Sequence, residues 1–167
     1  HCNRGYQAFE STCTILDQYY RDGTTGQFDL VVVSCGGYPK DINLIQAHKG
    51  IHNAAQFVRP GGCLMVLAQC VDGIGSDCFM TYFDCGGFDQ AFTILEKQYK
   101  GNGTTALSMM TKTGRIRLGM VTQLAAAVLK RMNIQKLTIN DAAQQITTCY
   151  QAGLKVAFIK NAGLVIR

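Results

Sequence analysis

The chain has 167 residues, 47% hydrophobic and 16% charged, enough for one domain with a buried core and too few for two. Two prolines, 18 short-clustered glycines and no apolar run near the ~20 residues that cross a bilayer exclude disordered, collagen-like and helix-spanning classes. The formal net charge of +5 is unevenly shared: residues 1–96 carry five basic and ten acidic side chains, residues 97–167 eleven basic and one acidic.

A basic half invites a nucleic-acid reading. The cations, however, are scattered singly or in pairs (Arg115, Arg117, Lys130, Arg131), without aromatic interleaving and without a helix-turn-helix, zinc-finger or ribonucleoprotein pattern. The expectation is that the two halves fold together and neutralise each other, with neither nucleic acid nor membrane as partner. The chain opens at His1 with no apolar targeting run, so it reads as a piece of a longer polypeptide. Eight cysteines without a C-x-x-C pair fit reduced thiols in a cytoplasmic protein better than a disulfide scaffold or a zinc ribbon. Cys35 and Cys63 read as small core residues; oxidation among Cys70, Cys78 and Cys85 is the lesser alternative.

In chain order, Phe9, Cys13, Leu16 and Tyr20 step as an amphipathic helix over residues 2–21, ended by Asp22-Gly23. Phe28 to Val33 is a continuous β-branched run, the pattern of a strand buried on both faces. A helix from about Asp41 to Val58, a turn at Arg59-Pro60-Gly61-Gly62 and a second buried strand over Cys63 to Ala68 complete a β-α-β unit. Glycine-rich sequence over 72–87 leads to a helix over 88–99 with Phe88, Phe92, Leu95 and Tyr99 as its stripe. A weaker helix over 104–113, a strand over 115–121 and an alanine-rich helix over 124–132 follow. Leu137-Thr138-Ile139 reads as a short strand, Asn140 or Asp141 as the cap of a helix to about Gly153, and Leu154 to Ile159 as the last strand. Tyr19-Tyr20 and Met109-Met110 read as packing residues. The expected fold is α/β, a Rossmann-like sandwich with a mostly parallel sheet of about four to five strands flanked by helices. Residues 1–26 would be a leading helix and linker and 27–167 the core of a single domain.

Ligands of such sheets bind beyond the carboxyl ends of the strands. The first such loop, Cys35 to Asn43, has glycines for close backbone approach and Pro39 for rigidity, yet lacks both G-x-G-x-x-G and the P-loop motif. On the following helix Leu44, Ala47, Ile51, Ala55 and Val58 form a buried stripe, while Asn43, Gln46 and Lys49 form a polar one that starts at the helix amino end. Helical side chains lean toward the amino end, so the Lys49 ammonium approaches the mouth of the loop. A cation, an amide and free helix N–H groups converging there would suit a carboxylate or phosphate; a solvated helix face is the plainer alternative. The second loop, Gln69 to Asp77, should lie alongside, with Gly73 and Gly75 able to form an anion nest or a plain turn. His48 and His52 have the i, i+4 spacing of metal pairs but neither the glutamate of H-E-x-x-H nor a third ligand nearby, so no metal site is assigned.

Gly36-Gly37-Tyr38-Pro39-x-Asp41-x-Asn43-x-x-Gln46-x-x-Lys49-Gly50, then Arg59-Pro60-Gly61-Gly62 and Cys70-x-x-Gly73-x-Gly75, resemble the carboxyl-terminal domain of the nickel-dependent lactate racemase family, over essentially the whole chain. The resemblance implies a two-domain 2-hydroxyacid racemase or epimerase, with this chain as its carboxyl-terminal domain, inactive alone. It implies hydride transfer to a nickel-pincer nucleotide held mainly by an amino-terminal domain that also carries the nickel ligand and acid/base histidines. Lys49 would hold the substrate carboxylate and Gln46 assist orientation, with Tyr38, Asp41, Asn43, Ile45, Asp72, Gly73 and Gly75 lining the cleft toward substrate and cofactor. Family members often have tyrosine where Ile45 stands, which leaves the identity of the hydroxyacid open. The alternative is a non-catalytic nucleotide- or phosphate-binding module using the same loops.

Overall fold

The computed structural model describes residues 5–21 and 26–165. Five strands, β1 (Phe28–Ser34), β2 (Val58–Leu67), β3 (Arg117–Val121), β4 (Ile134–Lys136) and β5 (Val156–Ile159), form one sheet in the order β4-β3-β2-β1-β5 with every pair parallel. Among the described residues α1 (Tyr6–Tyr20) precedes β1, and α2 (Leu44–Ala54), α3 (Phe88–Lys97), α4 (Gly103–Arg115), α5 (Ala126–Arg131) and α6 (Ile139–Gln151) lie between successive strands. This is the α/β sandwich expected from the alternation of buried runs and helical stripes.

The sheet divides two unequal cores. On one face Val31, Val33, Leu64, Val66, Leu118 and Met120 pack against Leu44, Ala47 and Ile51 of α2 and Ala106 and Met109 of α4. On the other, Leu30, Val32 and Met65 meet Leu137 and Ala142 at the start of α6. Each fully buried aliphatic side chain contributes on the order of 1.5–3 kcal/mol. The larger core thus fixes α2, the element that carries the polar stripe, most firmly to the sheet.

Several boundaries differ from the expectation. The turn at 59–62 is absorbed into β2, which runs unbroken from Val58; the irregularity appears instead as a register shift opposite Phe28 and Leu30. The fourth strand lies at Ile134–Lys136, three residues early, because Thr138 is the N-cap of α6. Thr138 and Asp141 exchange side-chain and backbone bonds in a capping box, so Asp141 is the third helical residue and not the cap. In α3 the buried residue is Ala91, while Phe88 and Phe92 stack on each other at 6.4 Å on the exposed side. Helix α1 buries no residue, and Tyr19 is 78% exposed, so the packing role expected for Tyr19-Tyr20 is not seen. Met109 is fully buried as expected. Residues 2–4 of the expected first helix and the Asp22-Gly23 break lie outside the described residues. Among the described residues no helix is long and apolar enough to cross a membrane.

Candidate functional site at the carboxyl edge of the sheet

Strands β1 to β4 step outward in one direction, and β5 returns to the other side of β1. The loop leaving β1 therefore opens at the point where strand order reverses, the usual position of a crevice in such sheets. Gly36 there, at φ 95°, lies so close to Asn161 beyond β5 that a side chain would collide with its amide.

The loops after β1 and β2 are stitched into one joint. The backbone O of Asp41 accepts Cys70 N–H at 2.9 Å, Ile42 O accepts Asp72 N–H at 2.8 Å, and Asp41 Oδ2 accepts Gln69 N–H at 2.8 Å. The second loop then caps α2: Leu44 N–H donates to Gly73 O at 3.0 Å and Ile45 N–H to Ile74 O at 3.1 Å. Asn43 completes the cap, its Oδ1 accepting from Gln46 N–H at 3.0 Å. The N–H groups of the first three helical residues are thus engaged, and an anion there would have to displace the Gly73 or Ile74 carbonyl or the Asn43 side chain. Gly73 and Gly75 likewise do not form the nest considered from sequence. Gly73 N–H donates to Cys70 O at 3.0 Å, and Gly75, at φ 83°, passes flush against the Asn43 amide.

Gln46 and Lys49 are brought together. Lys49 Nζ donates to Gln46 Oε1 at 2.7 Å, one turn back toward the helix amino end, with Lys49 exposed. The ammonium keeps two further N–H donors for an incoming group, and Gln46 keeps its amide NH2. A carboxylate could accept from both. The other residues singled out from sequence separate by position. Tyr38 is 74% exposed on the loop, Asp72 is exposed, and Ile45 packs partly buried against the larger core. Asp41 is 5% exposed and lines an open cleft of about 460 Å3 with Ser34, Gly37, Gln69, Thr122 and Gln123 at the ends of β1, β2 and β3. Its Oδ1 has no hydrogen-bond partner. Gln46 and Lys49 do not line that cleft.

Sequence reading missed one polar cluster near this face. Lys112 of α4 is buried, and its Nζ lies 3.3 Å from His48 Nε2 while donating to Ser108 Oγ at 2.6 Å and Ser108 O at 2.9 Å. Its signal was the spacing Ala106, Met109, Lys112, which puts the lysine on the apolar face of α4. Burial, Lys112 and His52 together lower the His48 pKa to about 3, and burial with Arg115 lowers that of Lys112 to about 8. A metal ion between His48 and His52 would face this ammonium, and no group of three or more His, Cys, Asp or Glu among the described residues could hold one. The described cysteines are all free thiols. Burial raises Cys35 to about 12 and Cys70 to about 11, so neither is a nucleophile at neutral pH.

Residues 24–166 match the family described as the lactate racemase C-terminal domain. The lactate racemase of Thermoanaerobacterium thermosaccharolyticum is 38% identical over 55 residues, a stretch covering 33% of this chain and 13% of that protein. The solved lactate racemase apoprotein from the same organism superposes with a TM-score of 0.81 at 22% identity, over 95% of this chain and 40% of that one. A Thermotoga maritima protein from structural genomics superposes at 0.62 with 12% identity, over 96% and 41% of the respective chains. The chain therefore spans about two fifths of the length of the solved proteins it superposes on. Because the family match runs over residues 24–166, most of the chain, the chain belongs to the lactate racemase C-terminal domain family.

Proposed function

We propose that this chain supplies the substrate-gripping wall of a 2-hydroxyacid racemase or epimerase, with Lys49 binding the substrate carboxylate and Gln46 orienting it. The observation that carries the reading is the 2.7 Å bond between Lys49 Nζ and Gln46 Oε1, which holds a cation and an amide side by side on the solvent side of α2. The carboxylate would join Lys49 through a charge-assisted hydrogen bond while the Gln46 amide fixes its plane. Holding the substrate at the carboxylate leaves the α-carbon free to meet reacting groups from outside this chain.

Membership of the family brings with it the expectation of a nickel-pincer nucleotide. The described residues do not fit that group: they offer no cluster of metal ligands, and the paired histidines face a buried ammonium. No residue of this chain is assigned to the cofactor, and no step is derived through it. Hydride transfer, the nickel ligand and the acid/base histidines belong to the part of the enzyme this chain would face. The alternative, an anion-binding module using the same loops, is disfavoured because the α2 N–H groups are already bonded to Gly73 O, Ile74 O and Asn43 Oδ1.

The test is substrate chemistry in the full-length protein. Racemisation or epimerisation of one or more 2-hydroxyacids, followed by chiral chromatography, is expected, while the corresponding neutral 2-hydroxyamides are turned over at least about 100-fold more slowly for want of the charge. Equal turnover of acid and amide would remove the carboxylate grip from the account.

A further inference from the structure

Lys112 has exchanged water for three uncharged acceptors in the seam between α2 and α4: Ser108 Oγ, Ser108 O and His48 Nε2. It forms no ion pair with a carboxylate among the described residues. The charged and titratable groups that face it are His48 and His52 from α2 and Arg115 from its own helix. An ammonium can only donate, so a charged Lys112 makes His48 Nε2 the acceptor and leaves the ring proton of a neutral His48 on Nδ1. An apolar side chain would fill this seam without the cost of a buried, unpaired ammonium.

What the ammonium supplies is direction. Dispersion contacts such as those of Ala47 and Ile51 allow a helix to roll slightly about its axis, whereas a charge-assisted hydrogen bond fixes the angle of the residue it holds. His48 is that residue on α2. It precedes Lys49 by one position and follows Gln46 by two, so its angle sets theirs on the rigid helix. A second tie from α4, Arg115 to Ala55 O, falls beyond the end of α2 on a backbone carbonyl, and the bonds from other elements, Gly73 O and Ile74 O on the first turn, Cys35 Sγ on Ala47 O and Asn53 to Ala162 O, hold the backbone or the far end of α2 and not a side chain between Gln46 and Lys49. We infer that Lys112 is a positioning residue: through its bond to His48 Nε2 it fixes the roll of α2 and hence the direction in which the Gln46–Lys49 pair faces. This rests on the reading of that pair as the carboxylate grip.

The test uses the full-length protein labelled with 15N-glutamine, in wild type and in Lys112→Met, Lys112→Arg and His48→Leu variants, each checked for native circular dichroism. The Gln46 side-chain amide signal of the wild type should move with a midpoint near pH 8 as Lys112 loses its proton. In Lys112→Met it should be displaced and lack that midpoint, and Lys112→Arg should restore most of its neutral-pH position. With a turned-over hydroxyacid, Lys112→Met should raise KM about tenfold with a smaller change in kcat. A folded Lys112→Met with an unmoved Gln46 signal overturns the inference, and if that variant does not fold, His48→Leu, which offers Lys112 no acceptor, decides in the same way. Turnover untouched by Lys49→Ala would instead overturn the carboxylate grip, while the Gln46 signal would still report whether Lys112 sets the roll.

Discussion

Asp41 and Gln69 stand on successive loops, and the 2.8 Å bond from the Gln69 N–H to Asp41 Oδ2 joins the exits of β1 and β2. The same aspartate receives Cys70 N–H on its backbone oxygen, so one buried residue holds two consecutive donors of the second loop. Replacing it with alanine leaves the Gln69 N–H without its acceptor and should cost about 1–3 kcal/mol. Asparagine keeps the acceptor and should cost less. Urea denaturation of the two variants measures the difference; an alanine variant as stable as the wild type would mean that the Asp41 side chain holds nothing the backbone does not.

Gly75 is the other clasp of the joint. At φ 83° and flush against the Asn43 amide, it admits no side chain without moving the cap of α2. Gly75→Ala combines backbone strain with loss of the Asn43 cap, together about 1–3 kcal/mol. Amide hydrogen exchange should show the Gln46 N–H losing protection first. Unchanged protection there would show that the loop can shift without releasing the cap.

His48 gives the chain an acid-side stability slope. Its pKa falls from 6.5 unfolded to about 3 folded, so the unfolded state binds more protons over that interval and stability rises with pH between about 3 and 6.5. Above that range the contribution is complete. His48→Gln, which cannot charge, should flatten the slope measured by thermal unfolding at pH 4 to 7. A slope preserved in the variant would place its origin in the carboxylates.

The parts of this architecture that follow from periodicity were legible in the sequence. The run Phe28 to Val33 read as a strand covered on both faces, which it is from Leu30 to Val33, and Leu44, Ala47 and Ile51 read as the buried face of α2. The placement of Gln46 and Lys49 on one polar stripe followed from their i, i+3 spacing, and the bond between them is what the structure adds. What escaped depends on contacts distant in sequence. The occupation of the α2 N–H groups by Gly73 and Ile74 carbonyls joins residues about thirty apart, and the His48–Lys112 contact spans 64 positions. The β4 boundary escaped for a local reason, since Thr138 satisfies either a strand pattern or a cap and the capping box with Asp141 decided it.

The central claim, that Lys49 grips the substrate carboxylate, meets its most direct test in the racemisation rate of the full-length protein with Lys49→Ala. The expected result is a loss of about 100-fold or more in kcat/KM with an unchanged melting temperature, because Lys49 is exposed and its removal opens no cavity. A variant that racemises the same hydroxyacid at the wild-type rate would contradict it.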